Sequence, residues 1–398
     1  MDVRSFRAWL ACAVTIGALP GAAQAQASIE VVASARRDGI DTPSLRQQIG
    51  IAEDGTIAFA ATTPSGTHQL LIAEPGANAR EVGIAAQSGT DIAINDESIV
   101  FFAGSQLQAV RRDLAAPPSV VQDCAVPSTP CGGLRQVGMA SDGFFAMTAF
   151  DSSGGIYRGR IQKGRLSTVL ESVPVPSGVI TALGIDVRVG GPMLLLADHQ
   201  GLGGEVYGAF AITPSRFGYL LGTMVSTRPR GGSEAPLGAV FGGYDTFALM
   251  PEQTDGSLVL ATPALARGDR HAYGMTHVPG IPVLPLQTAA GGSLDANELG
   301  LAAAVGTLTN GWSGLFTFDT ATLGATAQAL VALNRMIGRC TDTASSLHVL
   351  GTNGAGQMAV LARVLSAYGT LDTQVWRVTP TPGVRTTTTY CMAFKRLP

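Results

Sequence analysis

Short apolar segments alternate with tight polar turns along most of this chain. Residues 51–59 read Ile-Ala-Glu-Asp-Gly-Thr-Ile-Ala-Phe, so that Glu-Asp-Gly separates two apolar stretches. Residues 92–101 and 137–147 repeat the arrangement, with Asn-Asp-Glu and Ser-Asp-Gly between the apolar stretches. Short runs rich in Val, Ile and Phe that are bounded by Gly, Asp, Asn and Ser are typical of β-strands joined in hairpins. The pattern therefore predicts an all-β chain built from repeated hairpins.

The hairpins return at intervals that predict seven units of four strands between residues 45 and 394. In the first unit, for example, we expect strands at 45–53, 56–63, 69–73 and 80–85. Four antiparallel strands make one blade of a β-propeller, and seven repeats of roughly 50 residues suit the length of this chain. We therefore predict a β-propeller of seven four-stranded blades, with six or eight blades as alternatives.

A propeller must join its first and last blades, because an open ring leaves exposed strand edges. Residues 28–35 read as one further strand before the first unit. We expect this N-terminal strand, 28–35, to lie against the last blade, so that residues 26–398 form a single propeller domain.

Two local patterns allow alternative interpretations. The segment Ala325–Met336 is rich in Ala and Leu, which favour a helix, but it stands where the fourth strand of a blade belongs, and we predict a strand. The pairs Asp54-Gly55, Asp142-Gly143 and Asp255-Gly256 supply the positive φ of tight hairpin turns. We interpret them as turn formers rather than calcium ligands, because a calcium loop needs several oxygen ligands in one short segment.

The first 25 residues have the organisation of a signal peptide. Arg4 and Arg7 precede an apolar stretch at 8–23, and Ala23-Gln24-Ala25 is an A-x-A cleavage site. A membrane anchor is the alternative, but the stretch is shorter than the roughly 20 apolar residues that a span requires. We predict a signal peptide at 1–25, a mature chain from Gln26 without a membrane span, and a periplasmic or secreted location.

The charge composition argues against two classes of partner. The chain carries 26 Lys and Arg against 29 Asp and Glu, a formal net charge of −3. A nucleic acid or an anionic membrane surface would require a basic excess. We therefore expect neither as a partner, and we expect a monomer.

Four cysteines remain after signal removal, and an even number in an exported chain favours disulfides. Cys124 and Cys131 bracket a short loop that contains two prolines, so we expect them to pair. That pairing leaves Cys340 with Cys391. A metal site is the competing interpretation, but the chain has no C-x-x-C pair, and we expect no metal and no cofactor.

Three segments resemble a repeat of exported bacterial propeller proteins. Ile51–Ala60, Ile92–Phe101 and, more loosely, Gly351–Val360 are similar to a repeat that reads approximately Ala-Leu-Asn-Asp-x-Gly-Gln-Val-Ala-Phe. These repeats resemble the blades of the TolB-like and WD40-like families. The resemblance implies a propeller and export, and it implies no particular activity.

No established catalytic motif occurs in the chain. A G-x-S-x-G elbow, H-E-x-x-H and a phosphate-binding loop are all missing. The weak catalytic candidates are residues of two local groups: Asp198, His199, His271 and His277. Glycosidase chemistry would need paired carboxylates at the channel mouth, and the carboxylates considered for it are Asp91, Asp96, Glu97, Asp186 and Asp245.

Charged residues make up 14% of the chain, against about 25% in an ordinary globular domain. Since catalytic sites depend on ionisable groups, this scarcity favours binding over catalysis. We predict an exported, non-catalytic binding or scaffold propeller that holds an envelope or extracellular protein, peptide or glycan. The alternative is a hydrolase or lyase with its site at the mouth of the central channel.

Tryptic digestion of the mature protein without reduction should yield, by mass spectrometry, one peptide with an internal Cys124–Cys131 disulfide and one pair of peptides joined by Cys340–Cys391, since no cleavage site lies between Cys124 and Cys131. Alkylation before digestion marks any free thiol and serves as the control. Recovery of alkylated Cys124 or Cys131 would contradict the pairing inferred for that loop.

Overall fold

The structure is a computed structural model that describes the chain in sixteen segments. These are residues 26–41, 49–87, 89–123, 136–149, 155–175, 179–201, 204–215, 218–229, 238–241, 247–250, 257–263, 273–282, 294–297, 299–307, 312–319 and 328–392. The described residues form 30 β-strands and one helix of four residues. The prediction of an all-β fold is confirmed.

The strands form seven hydrogen-bonded sheets, of which six each use one continuous stretch of chain. Sheet 1 contains β2 (Gly50–Ile51), β3 (Ile57–Thr62), β4 (His68–Ala73) and β5 (Arg80–Ala85). Sheet 2 contains β6 (Ile92–Ile94), β7 (Ser98–Ala103), β8 (Gln106–Arg111) and β9 (Ser119–Asp123). Sheet 3 contains β10 (Gln136–Met139), β11 (Phe144–Ala149), β12 (Gly155–Gln162), β13 (Arg165–Leu166) and β14 (Glu171–Val173).

The next three sheets follow the same antiparallel order. Sheet 4 contains β15 (Val179–Val187), β16 (Met193–Gly201), β17 (Gly204–Ser215) and β18 (Gly218–Pro229). Sheet 5 contains β19 (Gly238–Phe241), β20 (Phe247–Met250), β21 (Ser257–Pro263) and β22 (Tyr273–Pro282). Sheet 6 contains β23 (Leu294–Ala296), β24 (Leu301–Thr307), β25 (Ser313–Asp319) and β26 (Gln328–Ala332).

The remaining sheet, which we call the closing sheet, combines both ends of the chain. Its strand order is β27 (Thr343–Thr352), β28 (Met358–Leu365), β29 (Leu371–Pro380), β1 (Ala27–Ser34) and β30 (Thr387–Thr388). The prediction of seven four-stranded blades is therefore corrected. Six sheets are blades of about four strands from continuous chain, and the closing sheet is a five-stranded composite, because ring closure requires a strand from the opposite end of the chain.

The first strands of the sheets surround a central channel. β2 contacts β6, β6 contacts β10, β10 contacts β15, β15 contacts β19, β19 contacts β23, β23 contacts β27, and β27 contacts β2. This closed order of contacts is the ring of a β-propeller.

β1 holds the ring closed by packing against two neighbouring blades. Its residues Ala27, Ile29 and Val31 belong to the core shared with sheet 6. Val32 and Ala33 belong to the core shared with sheet 1. A β-bulge between Val31 and Ala33 in the pairing with β29 makes this change of side possible, so that one short strand fills both inter-blade cores.

The outer edge of β1 is also covered. β30 pairs with Ser28 and Ile29 in parallel. The helix α1 (Ala35–Asp38) then brings the Arg37 guanidinium back to donate hydrogen bonds to the carbonyls of Val31 (3.3 Å) and Val32 (3.2 Å). These bonds satisfy carbonyl groups that a free strand edge would expose.

Arg377 joins the closing sheet to sheet 1. Its side chain is 2% exposed, and its guanidinium donates to the carbonyls of Gly55 (2.6 Å) and Ala73 (2.8 Å) in sheet 1. The same guanidinium forms an ion pair with Glu30 of β1. The buried charge is therefore compensated by partners from two sheets.

The disulfide between Cys340 and Cys391 is present, with a Cα–Cα distance of 5.4 Å. It links the segment before β27 to the residues after β30, across a separation of 51 residues. A disulfide that closes a loop of this length is expected to stabilise the fold by about 2–4 kcal/mol. Cys124 and Cys131 lie outside the described residues, and their pairing stays a prediction.

Other local predictions can be compared with the strands. The segment Ala325–Met336 contains β26, as predicted, and no helix is present in its described part. Gly55 and Gly143 adopt φ of 87°, which agrees with their role as turn formers, whereas Asp255-Gly256 lies outside the described residues. In the described part of the chain, no helix is long and apolar enough to cross a membrane.

Replacing Arg377 with Met should lower the free energy of unfolding by about 3–5 kcal/mol, because the change leaves two buried carbonyls and the partly buried Glu30 carboxylate without their partner. Urea denaturation measures the effect. Arg363→Met, an exposed position in the same sheet, is the matched control and should change stability by about 0.5 kcal/mol or less. Equal effects of the two substitutions would contradict the assigned role of Arg377.

Candidate functional site

The central channel contains a cavity of about 130 Å³. Its described wall is formed by β2, β6, β10, β15, β23 and β27 with the turns that follow them. Glycines in these strands keep the channel narrow. A Cβ on Gly351 would lie 2.5 Å from the Ile49 carbonyl oxygen, and a Cβ on Gly138 would lie 2.8 Å from that of Ile185. Only glycine allows neighbouring first strands to approach so closely.

Asparagine side chains connect the turns at one end of the channel. The Asn297 amide donates to the Asn353 carbonyl (2.9 Å), and the Asn353 amide donates to the Ala52 carbonyl (2.8 Å). Asn95 donates in the same way to the Ser141 carbonyl (3.3 Å). We call the end that carries these turns the turn face; it comprises residues 52–56, 95–97, 140–143, 188–192, 299–300 and 353–357.

Each of these asparagines also stabilises its own turn. The Oδ1 atom of Asn353 accepts a hydrogen bond from the Gln357 amide (2.9 Å), and Oδ1 of Asn95 accepts one from the Ser98 amide (2.8 Å). All three asparagines are 2–6% exposed. Since a buried amide that loses its partners is costly, these residues fix the geometry of the channel mouth.

Three carboxylates line the channel. Glu53 accepts a hydrogen bond from the Gly354 amide (2.9 Å), and Asp186 accepts one from the Val187 amide (2.8 Å). Asp295 lies on β23 in the same wall. The rest of the lining consists mainly of backbone and aliphatic side chains, which leaves these carboxylates as the ionisable groups in the described lining.

The pKa of Asp295 is raised to about 8, first by burial and then by the negative charge of Asp186. Hydrogen bonds from Thr352 and from the Ala296 amide act in the opposite direction and offset part of the effect. Asp295 is therefore largely protonated at neutral pH and can donate a proton or a hydrogen bond into the channel. Two carboxyl groups in different protonation states are the arrangement that general acid–base catalysis uses.

A larger groove crosses the turn face beside the channel, with a volume of about 550 Å³. It extends from sheet 1 over sheet 2 to the Lys163 turn of sheet 3, and buried Ile72 lies in its lining. We call it the rim groove. Its charged lining residues are Asp54, Glu74, Asp96, Glu97, Arg111, Arg112, Asp113 and Lys163.

Ion pairs organise the rim groove. Arg112 lies 2.8 Å from Asp54 and 3.7 Å from Asp96, so that its guanidinium bridges the inner turns of sheets 1 and 2. Arg111 pairs with Asp113 at the outer end. No group of three or more residues suited to hold a metal ion occurs among the described residues.

Three of the four catalytic candidates from the sequence lie on described strands, and none of these is a first strand. Asp198 and His199 are consecutive residues of β16, the second strand of sheet 4. His277 lies on β22, the fourth strand of sheet 5. His271 is outside the described residues. A role for these four residues stays a prediction.

The carboxylates considered from the sequence separate into distinct places. Asp186 lines the channel, Asp96 and Glu97 line the rim groove, and Asp91 is buried immediately before β6. Asp245 lies outside the described residues. The sequence analysis missed Asp295 and the asparagines. The recurrence of Asn at the start of hairpin turns is the signal that could have identified the latter.

Comparison with solved structures found proteins that share the fold. A puromycin hydrolase matches with a TM-score of 0.53 and 17% identity, over 86% of this chain and 54% of that one. A puromycin-hydrolyzing peptidase of Mycobacterium tuberculosis matches with a TM-score of 0.50 and 13% identity, over 88% of this chain and 56% of that one. The chain thus spans about half the length of both proteins, and at these identities the likeness shows the β-propeller fold alone.

Comparisons with models of protein families and with curated proteins found no match. The propeller implied by the sequence resemblance is confirmed, while the TolB-like or WD40-like family itself stays a prediction.

Replacing Asp295 with Asn should flatten the pH dependence of stability. Because the folded pKa of Asp295, about 8, exceeds the ordinary value of 3.8, its contribution is fully present below about pH 4 and is lost as the pH rises through about 8. The free energy of unfolding of the parent should therefore fall, relative to that of Asp295→Asn, between about pH 4 and pH 8.

Asp54→Asn is the control of opposite sign. Burial raises the pKa of Asp54, but hydrogen bonds from Thr56 and the charge of Arg112 lower it overall, so its contribution should be lost below about pH 4. Parallel stability curves for the parent and Asp295→Asn would contradict a raised pKa at Asp295.

Proposed function

We propose that this protein is a non-catalytic binding propeller of the periplasm or extracellular space. It holds a protein, peptide or glycan on its turn face. The observation that carries the proposal is the difference in size between the two cavities. The rim groove, about 550 Å³, falls within the roughly 300–1,000 Å³ of ligand sites, whereas the channel cavity, about 130 Å³, falls well below it.

The proposal includes the features that fit this role. The signal peptide at 1–25 directs export, and the mature domain acts as a monomer of a TolB-like or WD40-like repeat family. The disulfide suits an oxidising compartment.

A hydrolase or lyase is the second candidate function, and the carboxylates of the channel favour it. Asp295 would act as the acid, and Asp186, whose negative charge raises the pKa of Asp295, would act as the base. The small volume of the channel restricts such a reaction to a substrate end or side chain that enters from the turn face.

Site-specific photocrosslinking tests the binding function. A photoactivatable phenylalanine replaces exposed Pro75 on the groove side, and in a matched control it replaces exposed Ser65 at the opposite end of sheet 1. In an envelope extract of the source cells, we expect one stoichiometric partner to be captured from position 75 and none from position 65.

Equal capture from both positions, or capture from neither, would contradict binding through the turn face. Hydrolysis of a peptide or glycan panel that Asp186→Asn and Asp295→Asn each abolish, while circular dichroism shows that both variants are folded, would instead establish the second candidate.

A further inference from the structure

The rim groove has its charges in two layers. Arg112 lies deepest, with a side chain that is 26% exposed, while Asp54 and Asp96 beside it are 45% and 57% exposed. Glu74 and Asp113 are more than half exposed at the outer end. The guanidinium of Arg112 thus lies below Asp54 and Asp96 and compensates part of their negative charge. The groups that the groove presents to a ligand are mainly carboxylates.

The number of charged side chains also gives the rim groove a net negative charge. Five carboxylates line the rim groove against three cationic side chains, of which Arg111 and Arg112 form ion pairs with groove carboxylates. Arg80, outside the lining, pairs with Glu74 at 3.4 Å, which leaves a small negative excess in the groove. Hydrogen bonds and paired arginines lower the pKa of Asp54 and of Asp113 despite the opposing effect of burial. Asp54 and Asp113 therefore keep their negative charge in mildly acidic surroundings.

The floor of the rim groove differs from its walls. Ile72 and Thr56 are 2–3% exposed and belong to the packed interior of sheet 1. Hydrogen bonds from the Gly164 amide to Ser98 (2.9 Å) and from Ser119 to the Gly164 carbonyl (2.7 Å) fix the Lys163 turn against sheet 2. The rim groove is thus a preformed cleft whose floor consists of packed residues. A preformed site reduces the entropic cost of binding a ligand.

We propose that the rim groove binds an extended, arginine- or lysine-bearing peptide segment of a partner protein. This inference rests on the proposed binding function and names its ligand class. The cationic side chains lie over Asp96 and Glu97, both exposed on the inner wall, while the peptide backbone follows the cleft from sheet 1 towards sheet 3. Complementary charge sets the specificity and the association rate of such a contact.

Fluorescence anisotropy with a labelled peptide of alternating arginine and glycine tests the inference on the mature protein. We expect binding at low salt that weakens at high salt, because exposed charges are screened. The same peptide with glutamate in place of arginine should not bind. Spermine alone, used as a competitor, should displace the arginine peptide only weakly, since it lacks a peptide backbone.

The variant Asp96→Asn/Glu97→Gln should weaken binding of the arginine peptide about tenfold, the sum expected from two exposed charge pairs. Asp41→Asn is the control, since Asp41 is equally exposed but bridges to Thr62 at the end of sheet 1 away from the turn face. It should leave binding unchanged. Thermal melting of each variant confirms that the fold is intact.

Amine modification of Lys163 provides a second readout. Lys163 and Lys395 are the two lysines of the chain, and Lys163 lies in the rim groove. Bound arginine peptide should slow the modification of Lys163, whereas the glutamate peptide should not, as followed by mass spectrometry.

Three results would overturn the inference: equal binding of the glutamate peptide, unchanged binding by Asp96→Asn/Glu97→Gln, or full displacement by spermine. Its failure is distinguishable from that of the proposed function. A partner captured from position 75 without binding of the arginine peptide would refute the ligand class alone. Peptide binding without a captured partner would support the groove chemistry and contradict the cellular role.

Discussion

The antiparallel pairing of β1 with β29 is the contact on which the rest of the ring depends. Each blade of a propeller buries both faces against its neighbours, so an incomplete closing sheet exposes two inter-blade cores. β1 supplies Ile29 and Val31 to the core on one side and Val32 to the core on the other. Glu30, between them, compensates Arg377, which in turn holds the turns of sheet 1. One strand therefore provides apolar packing together with the counter-charge of the buried Arg377.

The geometry of the turn face depends on this closure of the ring. Asn353, in the closing sheet, receives a hydrogen bond from Asn297 and gives one to Ala52, so sheets 6 and 1 are aligned through it. Glycines on the first strands then bring the wall of the channel close together. The space that remains at the centre is small, and the larger space lies where charged turns of different length meet at the rim. The channel cavity and the rim groove thus differ in size and in charge, and they suit different ligands.

Local features of the fold could be predicted from the sequence, whereas the arrangement of the sites could not. The strand β26 could be predicted from its position in the repeat despite its Ala-rich composition, and the positive φ of Gly55 could be predicted from the Asp-Gly pair in its turn. The number of blades did not follow from the sequence, because a count of hairpins does not distinguish a sheet of continuous chain from the closing sheet, which combines both chain ends. The raised pKa of Asp295 depends on burial and on Asp186, which lies in another sheet. Such properties arise only from tertiary packing.

The position of β1 at the start of the chain has a consequence for folding kinetics. The Val31 amide bonds to the Thr389 hydroxyl across a sequence separation of 358 residues, and contacts of this kind raise the contact order and slow folding. A chain made from its N-terminus carries β1 without a partner until β29 exists. During that interval β1 is an apolar strand with two free edges, which is the form most prone to intermolecular pairing. The last step in the folding of this propeller is therefore the pairing of its first strand, β1. The longer the ring stays open, the greater the risk of aggregation.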